Sequence, residues 1–169
     1  MRAVVVAIAG ALMAAGPASA RSADAIPHPR KLWATVNVCD TVGHPDSFGV
    51  RGSMPGSGRR REEMFMRFRV QFLGASDGRW HMLRPGGDSG FVDVGTAARA
   101  RQAGVTFTVT PPPRGRSAHQ LRAVVSFEWR RGDTVVRHAR RRTTAGHPGT
   151  AGADPASFSA ATCAIGAER

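Results

Sequence analysis

From Met64 to Phe72 the apolar residues Met64, Met66, Phe68, Val70 and Phe72 alternate with Arg67, Arg69 and Gln71. A period of two places one face against a core and the other in water, which predicts a half-buried strand rather than a helix. The same alternation recurs in Val105, Phe107 and Val109 against Thr106, Thr108 and Thr110. It returns in Leu121, Ala123, Val125, Phe127 and Trp129 against Arg122, Ser126 and Glu128. Shorter candidate strands run from Ala34 to Asp40, Arg79 to Leu83, Gly90 to Val94, Thr134 to Arg142 and Phe158 to Ile165. Turn-formers separate them: Pro55-Gly56-Ser57-Gly58, Pro85-Gly86-Gly87-Asp88, Pro111-Pro112-Pro113 and the stretch from Gly146 to Pro155. Thr96 to Gln102 is the one stretch that reads as a short helix. About eight short strands with Gly/Pro turns predict an all-β fold, an antiparallel sandwich with a small barrel as the alternative. Trp129 lies in register with the apolar face and is expected in the core; the pattern does not place Trp33 or Trp80.

The N-terminus interrupts this periodicity. Arg2 precedes an apolar run from Ala3 to Gly16, and Pro17-Ala18-Ser19-Ala20 supplies small residues for cleavage, the three-part layout of a secretory signal. Ala23-Asp24-Ala25 offers a second cleavage point. The run falls short of the roughly 20 residues needed to span a bilayer, so no transmembrane anchor is expected. The reading is a signal peptide over 1–20, a disordered N-terminal segment over 21–31 and one β-sandwich domain over 32–166, long enough to hold a core of its own.

Export changes the meaning of the two cysteines, Cys39 and Cys163. In an oxidising compartment two cysteines most simply form one disulfide; free thiols or a metal pair are the alternatives. The order of Cys39, Gly90-Phe91-Val92-Asp93-Val94-Gly95, Arg101-Gln102-Ala103-Gly104-Val105-Thr106-Phe107, Leu121-Arg122-Ala123, Phe127-Glu128-Trp129 and Ser159-Ala160-Ala161-Thr162-Cys163 resembles small secreted immunoglobulin-like proteins of GC-rich bacteria. That resemblance covers most of the chain after the signal. It implies an immunoglobulin-like sandwich of about 7–9 strands and a secreted location, and carries no active site with it. Cysteines that bracket nearly the whole domain, instead of sitting on two internal strands around a Trp, depart from the antibody pattern.

Charge narrows the partners. The chain holds 24 Lys+Arg against 12 Asp+Glu, net +12, and Lys31 is its one lysine. A GC-rich genome favours arginine codons, so a solvated basic surface is one reading. The other is attraction to an anionic envelope polymer or phospholipid head groups, weakening with salt, with another protein as a further candidate partner. Nine arginines fall between Arg114 and Arg142 against Glu128 and Asp133, which makes Arg137, Arg140, Arg141 and Arg142 the candidate anion-binding residues, helped by the loop Arg59-Arg60-Arg61 if it lies nearby. Alternation along a strand would divide these arginines between two faces, as edge strands do to resist aggregation. Nucleic acid is not expected, because no exposed aromatic series accompanies the arginines.

Arg131-Gly132-Asp133 is expected at a hairpin tip, where an adhesive tripeptide would be read and where any tight turn places Gly and Asp. The six histidines, His28, His44, His81, His119, His138 and His147, show no ligand spacing; His44 beside Asp40 and Asp46 is the best local group. No Gly-x-Ser-x-Gly elbow, His-Glu-x-x-His pair or phosphate loop occurs. The expectation is therefore a secreted, non-catalytic binding or structural module of the cell envelope, needing no cofactor. An exported hydrolase with a loop-built site around His44, Asp40 and Asp46 is the alternative.

Overall fold

A computed structural model describes residues 25–167. The residues read as an export signal lie outside the described residues. Among those described, no helix is long and apolar enough to cross a membrane.

Nine strands follow one another among the described residues: β1 (Trp33–Cys39), β2 (Ser47–Met54), β3 (Arg59–Leu73), β4 (Trp80–Met82), β5 (Asp88–Ala97), β6 (Arg101–Thr108), β7 (His119–Arg131), β8 (Thr134–Arg142) and β9 (Cys163–Ile165). They build two antiparallel sheets. The smaller has the order β1-β2-β6. In the larger, the long strands β3 and β7 pair in unbroken register from Glu63↔Arg130 to Phe72↔Leu121. β4 and β5 flank β3, and β8 and β9 flank β7.

Period-two patterning explains the assembly. Met64, Met66, Phe68 and Val70 of β3 and Leu121, Ala123, Val125, Phe127 and Trp129 of β7 are buried on one face. They meet Ala34 and Val36 of β1, Phe48 and Val50 of β2, and Phe107 of β6. Trp129 is fully buried, as its register requires, and its Nε1 donates to the Pro55 carbonyl at 3.2 Å, so its one polar atom is not stranded. Close approach of the sheets depends on Gly52: a Cβ there would stand 3.0 Å from Met66 Sδ and 3.3 Å from the Phe127 ring.

Cys39 and Cys163 form the disulfide, with Cα atoms 5.5 Å apart. It joins the end of β1 in the small sheet to β9 in the large one, binding the two layers covalently at one end.

Several expectations give way to tertiary pairing. Ser47–Met54 is a strand that the alternation does not reveal, because Gly52 interrupts the series Phe48, Val50 and Met54 where a large residue would have marked it. Thr96 to Gln102 is not helical; it holds the end of β5, a three-residue link and the start of β6. Seven residues are too few to pay for helix nucleation when sheet partners lie on either side. Arg59, Arg60 and Arg61 begin β3 and are not in a loop. Of 158–165 only the last three residues form a strand. Part of the segment expected to lack structure is ordered: Pro29–Lys31 make a 3-10 turn, and Ile26 packs on the core.

Candidate functional site: a cationic sheet face

Because β3, β7 and β8 alternate in phase, the residues opposite the core line up in cross-strand rows on the outer face of the large sheet. One row is Phe91, Arg67, Ser126 and Arg140; its neighbours are Arg69, Val124 and Arg142, and Asp93, Phe65, Glu128 and His138. Gln71 and Arg122 extend the face toward β4. The arginines of three strands thus converge on one surface.

Some of these charges are answered within the face. Arg67 grips Asp88 through Nε and Nη2 at 2.8 and 2.5 Å, a bidentate pair that raises the guanidinium pKa and lowers that of the Asp88 carboxyl. Arg130 holds Glu128 at 2.8 and 2.6 Å and stacks over Phe65 and Phe91, 4.1 and 4.7 Å from the ring centres. Four arginines are not answered: among the described residues no carboxylate lies within ion-pair distance of Arg69, Arg122, Arg140 or Arg142.

Their electrostatics carries the signature of crowding. Burial lowers the pKa of Arg69, and the nearby charges of Arg140 and Arg67 lower it further against a smaller opposing pull from Asp88. Burial also lowers that of Arg122, with Arg142 adding repulsion. The contacts these side chains do make are neutral: Arg69 to Ser126 Oγ at 3.4 Å, Arg122 to Gln71 Oε1 at 2.8 Å and over the Trp80 ring at 4.2 Å. Among Arg67, Arg69, Phe91, Ser126, Glu128, His138 and Arg140 the face dips into an open recess of about 250 Å³.

The structure sorts the expected anion-binding residues. Arg140 and Arg142 stand on this face. Arg141 points to the other side of β8, opposite the core residue Val125, and caps the Arg140 carbonyl at 2.9 Å. Arg137 is removed from the surface altogether: it lies opposite Trp129 on the inner side of β8, nearly fully buried, and its guanidinium pairs with Glu62. Arg67, Arg69 and Arg122 were not among the expected residues, although the alternation in β3 and β7 already set them opposite the apolar series.

Glu62 is a second charged centre, fully buried. Burial opposes its ionisation, but hydrogen bonds from Ser57 and Arg59, the charge of Arg137 and a hydrogen bond from Arg131 prevail and hold its carboxyl below the usual range. Ser57 Oγ donates at 2.7 Å, Arg59 Nη1 at 3.1 Å and Arg131 Nη2 at 3.1 Å. Arg131 and Gly132-Asp133 do form the tip between β7 and β8, with Gly132 at φ 54°, a left-handed conformation that favours glycine. Arg131 reaches back to Glu62, so the tripeptide is braced against the core at its first residue.

The histidines are dispersed. His44 stands 4.0 Å from Asp154, and His81 is 2.8 Å from Asp77. His147 stacks on Trp33 at 4.4 Å between centres, and burial lowers its pKa. His138 lies on the cationic face, opposite Glu128. Asp40 and Asp46, both with positive φ, close the turn between β1 and β2, where the Asp46 N–H donates to Asp40 Oδ1 at 2.9 Å. Among the described residues no group of three or more His, Cys, Asp or Glu side chains could hold a metal ion.

Fold and site together define a disulfide-closed β-sandwich with a cationic outer sheet face. No protein-family model matches the chain, and no curated protein matches it.

Proposed function

We propose that the chain is an exported, non-catalytic binding module whose large sheet presents Arg69, Arg122, Arg140 and Arg142 to an anionic polymer of the cell envelope. The observation that carries this reading is the crowding of four guanidinium groups, without a carboxylate partner, on one rigid face. Like charges held together cost free energy, and an anionic ligand relieves that cost on binding. Neighbouring strands lie about 4.8 Å apart and alternate residues about 6.8 Å apart, so the face offers a repeating cationic grid suited to a chain of charges. Export is supported by residues 1–20 and by a disulfide, which persists in oxidising compartments. Kinship with small secreted immunoglobulin-like proteins belongs to the same proposal.

Heparin serves as a test polyanion. The double variant R140A/R142A should bind about tenfold more weakly at ~0.15 M salt, a loss of about 1.4 kcal/mol, and should elute from a heparin column at lower salt. The control R114A/R116A removes the same charge from the exposed loop after β6 and should elute close to the parent. Equal losses in both variants would reduce the effect to net charge and contradict a defined face.

A further inference from the structure

We propose that β6 is a docking edge for a second copy of this chain, pairing β6 with β6 antiparallel about a two-fold axis. Sheet edges are hazardous because their free N–H and C=O groups can template another strand, and folded proteins blunt them. Among the described residues the three long edge strands other than β6 are blunted, and β4 and β9, at three residues each, are too short to serve. β1 is covered by the segment after β8: the Thr144 N–H donates to the Ala34 carbonyl at 2.8 Å, and Val36 and Ala160 exchange bonds of 2.9 and 3.0 Å. β5 has three register shifts and left-handed glycines at Gly90 and Gly95. β8 carries exposed His138, Arg140 and Arg142 and a register shift beside Trp129.

β6 has no register shift, and the segment after β8 meets it near its start, where the Ala151 N–H donates to Gln102 Oε1 at 3.4 Å. It pairs with β2 without a shift from Met54↔Arg101 to Ser47↔Thr108, and its other edge has no strand partner among the described residues. It contains no proline and no charge except Arg101 at its first position, and Gln102, Gly104, Thr106 and Thr108 are exposed.

That lone charge favours a second copy as the occupant. Two-fold pairing can centre on Gly104 or on Val105, which sets Arg101 opposite Phe107 or Val109 of the other copy. The two Arg101 residues then stand about 20 Å or more apart, at ~3.4 Å per residue, well beyond the Debye length of physiological salt. Gln102 meets Thr106 or Thr108 of the other copy, both able to hydrogen-bond to it. The axis runs perpendicular to the joined small sheets, so both large sheets lie on the same side of them. Their cationic faces therefore look the same way. This consequence, unlike the pairing, rests on the anion-binding reading, and it would make the dimer a bivalent platform.

Two double-cysteine variants test the pairing by register. Q102C/T106C should cross-link between chains if the axis passes Gly104, and Q102C/T108C if it passes Val105. Within one chain those positions are over 12 Å apart along a strand, too far for an internal disulfide. One variant should give a covalent dimer under mild oxidation, while R114C/R116C does not, and the parent should show a concentration-dependent dimer by sedimentation that T106K shifts toward monomer. A parent that stays monomeric, or a dimer that persists in T106K and cross-links in neither register, would overturn the proposal. Both proteins can keep or lose heparin affinity independently, so failure of the pairing is separable from failure of the binding face.

Discussion

Serine at both Cys39 and Cys163 is expected to lower the free energy of unfolding by about 5 kcal/mol, the loop-closure entropy of a long cross-linked chain. The bridge spans 124 residues and ties the first strand of one sheet to the last strand of the other, so nearly the whole domain lies inside the closed loop. Stability of that size is comparable with the entire margin of an ordinary domain, and the reduced chain should unfold at far lower denaturant. Urea unfolding of the oxidised parent, the reduced parent and the double-serine variant measures this. Reduced parent and variant should coincide, well below the oxidised protein. A midpoint that hardly moves would mean that the core alone holds the two sheets.

Glu62→Gln should cost about 3–5 kcal/mol, the range for breaking a buried ion pair by removing one partner. Glutamine keeps the volume and an acceptor oxygen but removes the negative charge that the buried Arg137 guanidinium faces. The hairpin tip would also loosen, since Arg131 is held through the same carboxylate. The pH dependence has a definite sign. The folded carboxyl titrates below its ordinary 4.5, so the unfolded state binds a proton first as pH falls. Glu62 therefore contributes stability in full above that value and loses it as pH drops toward the folded pKa. The acid limb of the unfolding curve should be shallower in Glu62→Gln than in the parent; parallel limbs would show that Glu62 does not titrate between the two states.

The fold was readable wherever large apolar residues alternate. β3 and β7 announce themselves through Met64 to Phe72 and Leu121 to Trp129, and Cys39 and Cys163 mark a clasp by being the only cysteines. β2 was hidden because the position that faces the core most tightly is Gly52, a residue chosen for the absence of a side chain. The candidate site was half legible. Arg140 and Arg142 were visible as a run, but a run of arginines does not reveal that Arg137 turns inward to a carboxylate 75 residues away. Nor does it show that strand pairing brings Arg67 and Arg69 beside Arg140. Spreading over two faces disperses arginines within a strand, yet it collects them across strands, and only the register of β3, β7 and β8 makes that collection definite.

On the proposed reading, anions bind to the outer face of the large sheet rather than to the net charge of the chain. Amide and arginine side-chain NMR shifts during titration with a short heparin oligosaccharide near physiological salt test it most directly. Saturable shifts are expected at Arg67, Arg69, Arg122, Ser126, Arg140, Arg142 and their strand neighbours, with Arg114, Arg116 and the buried Arg137 unmoved. Weak shifts spread over every exposed arginine, or none at all, would contradict it.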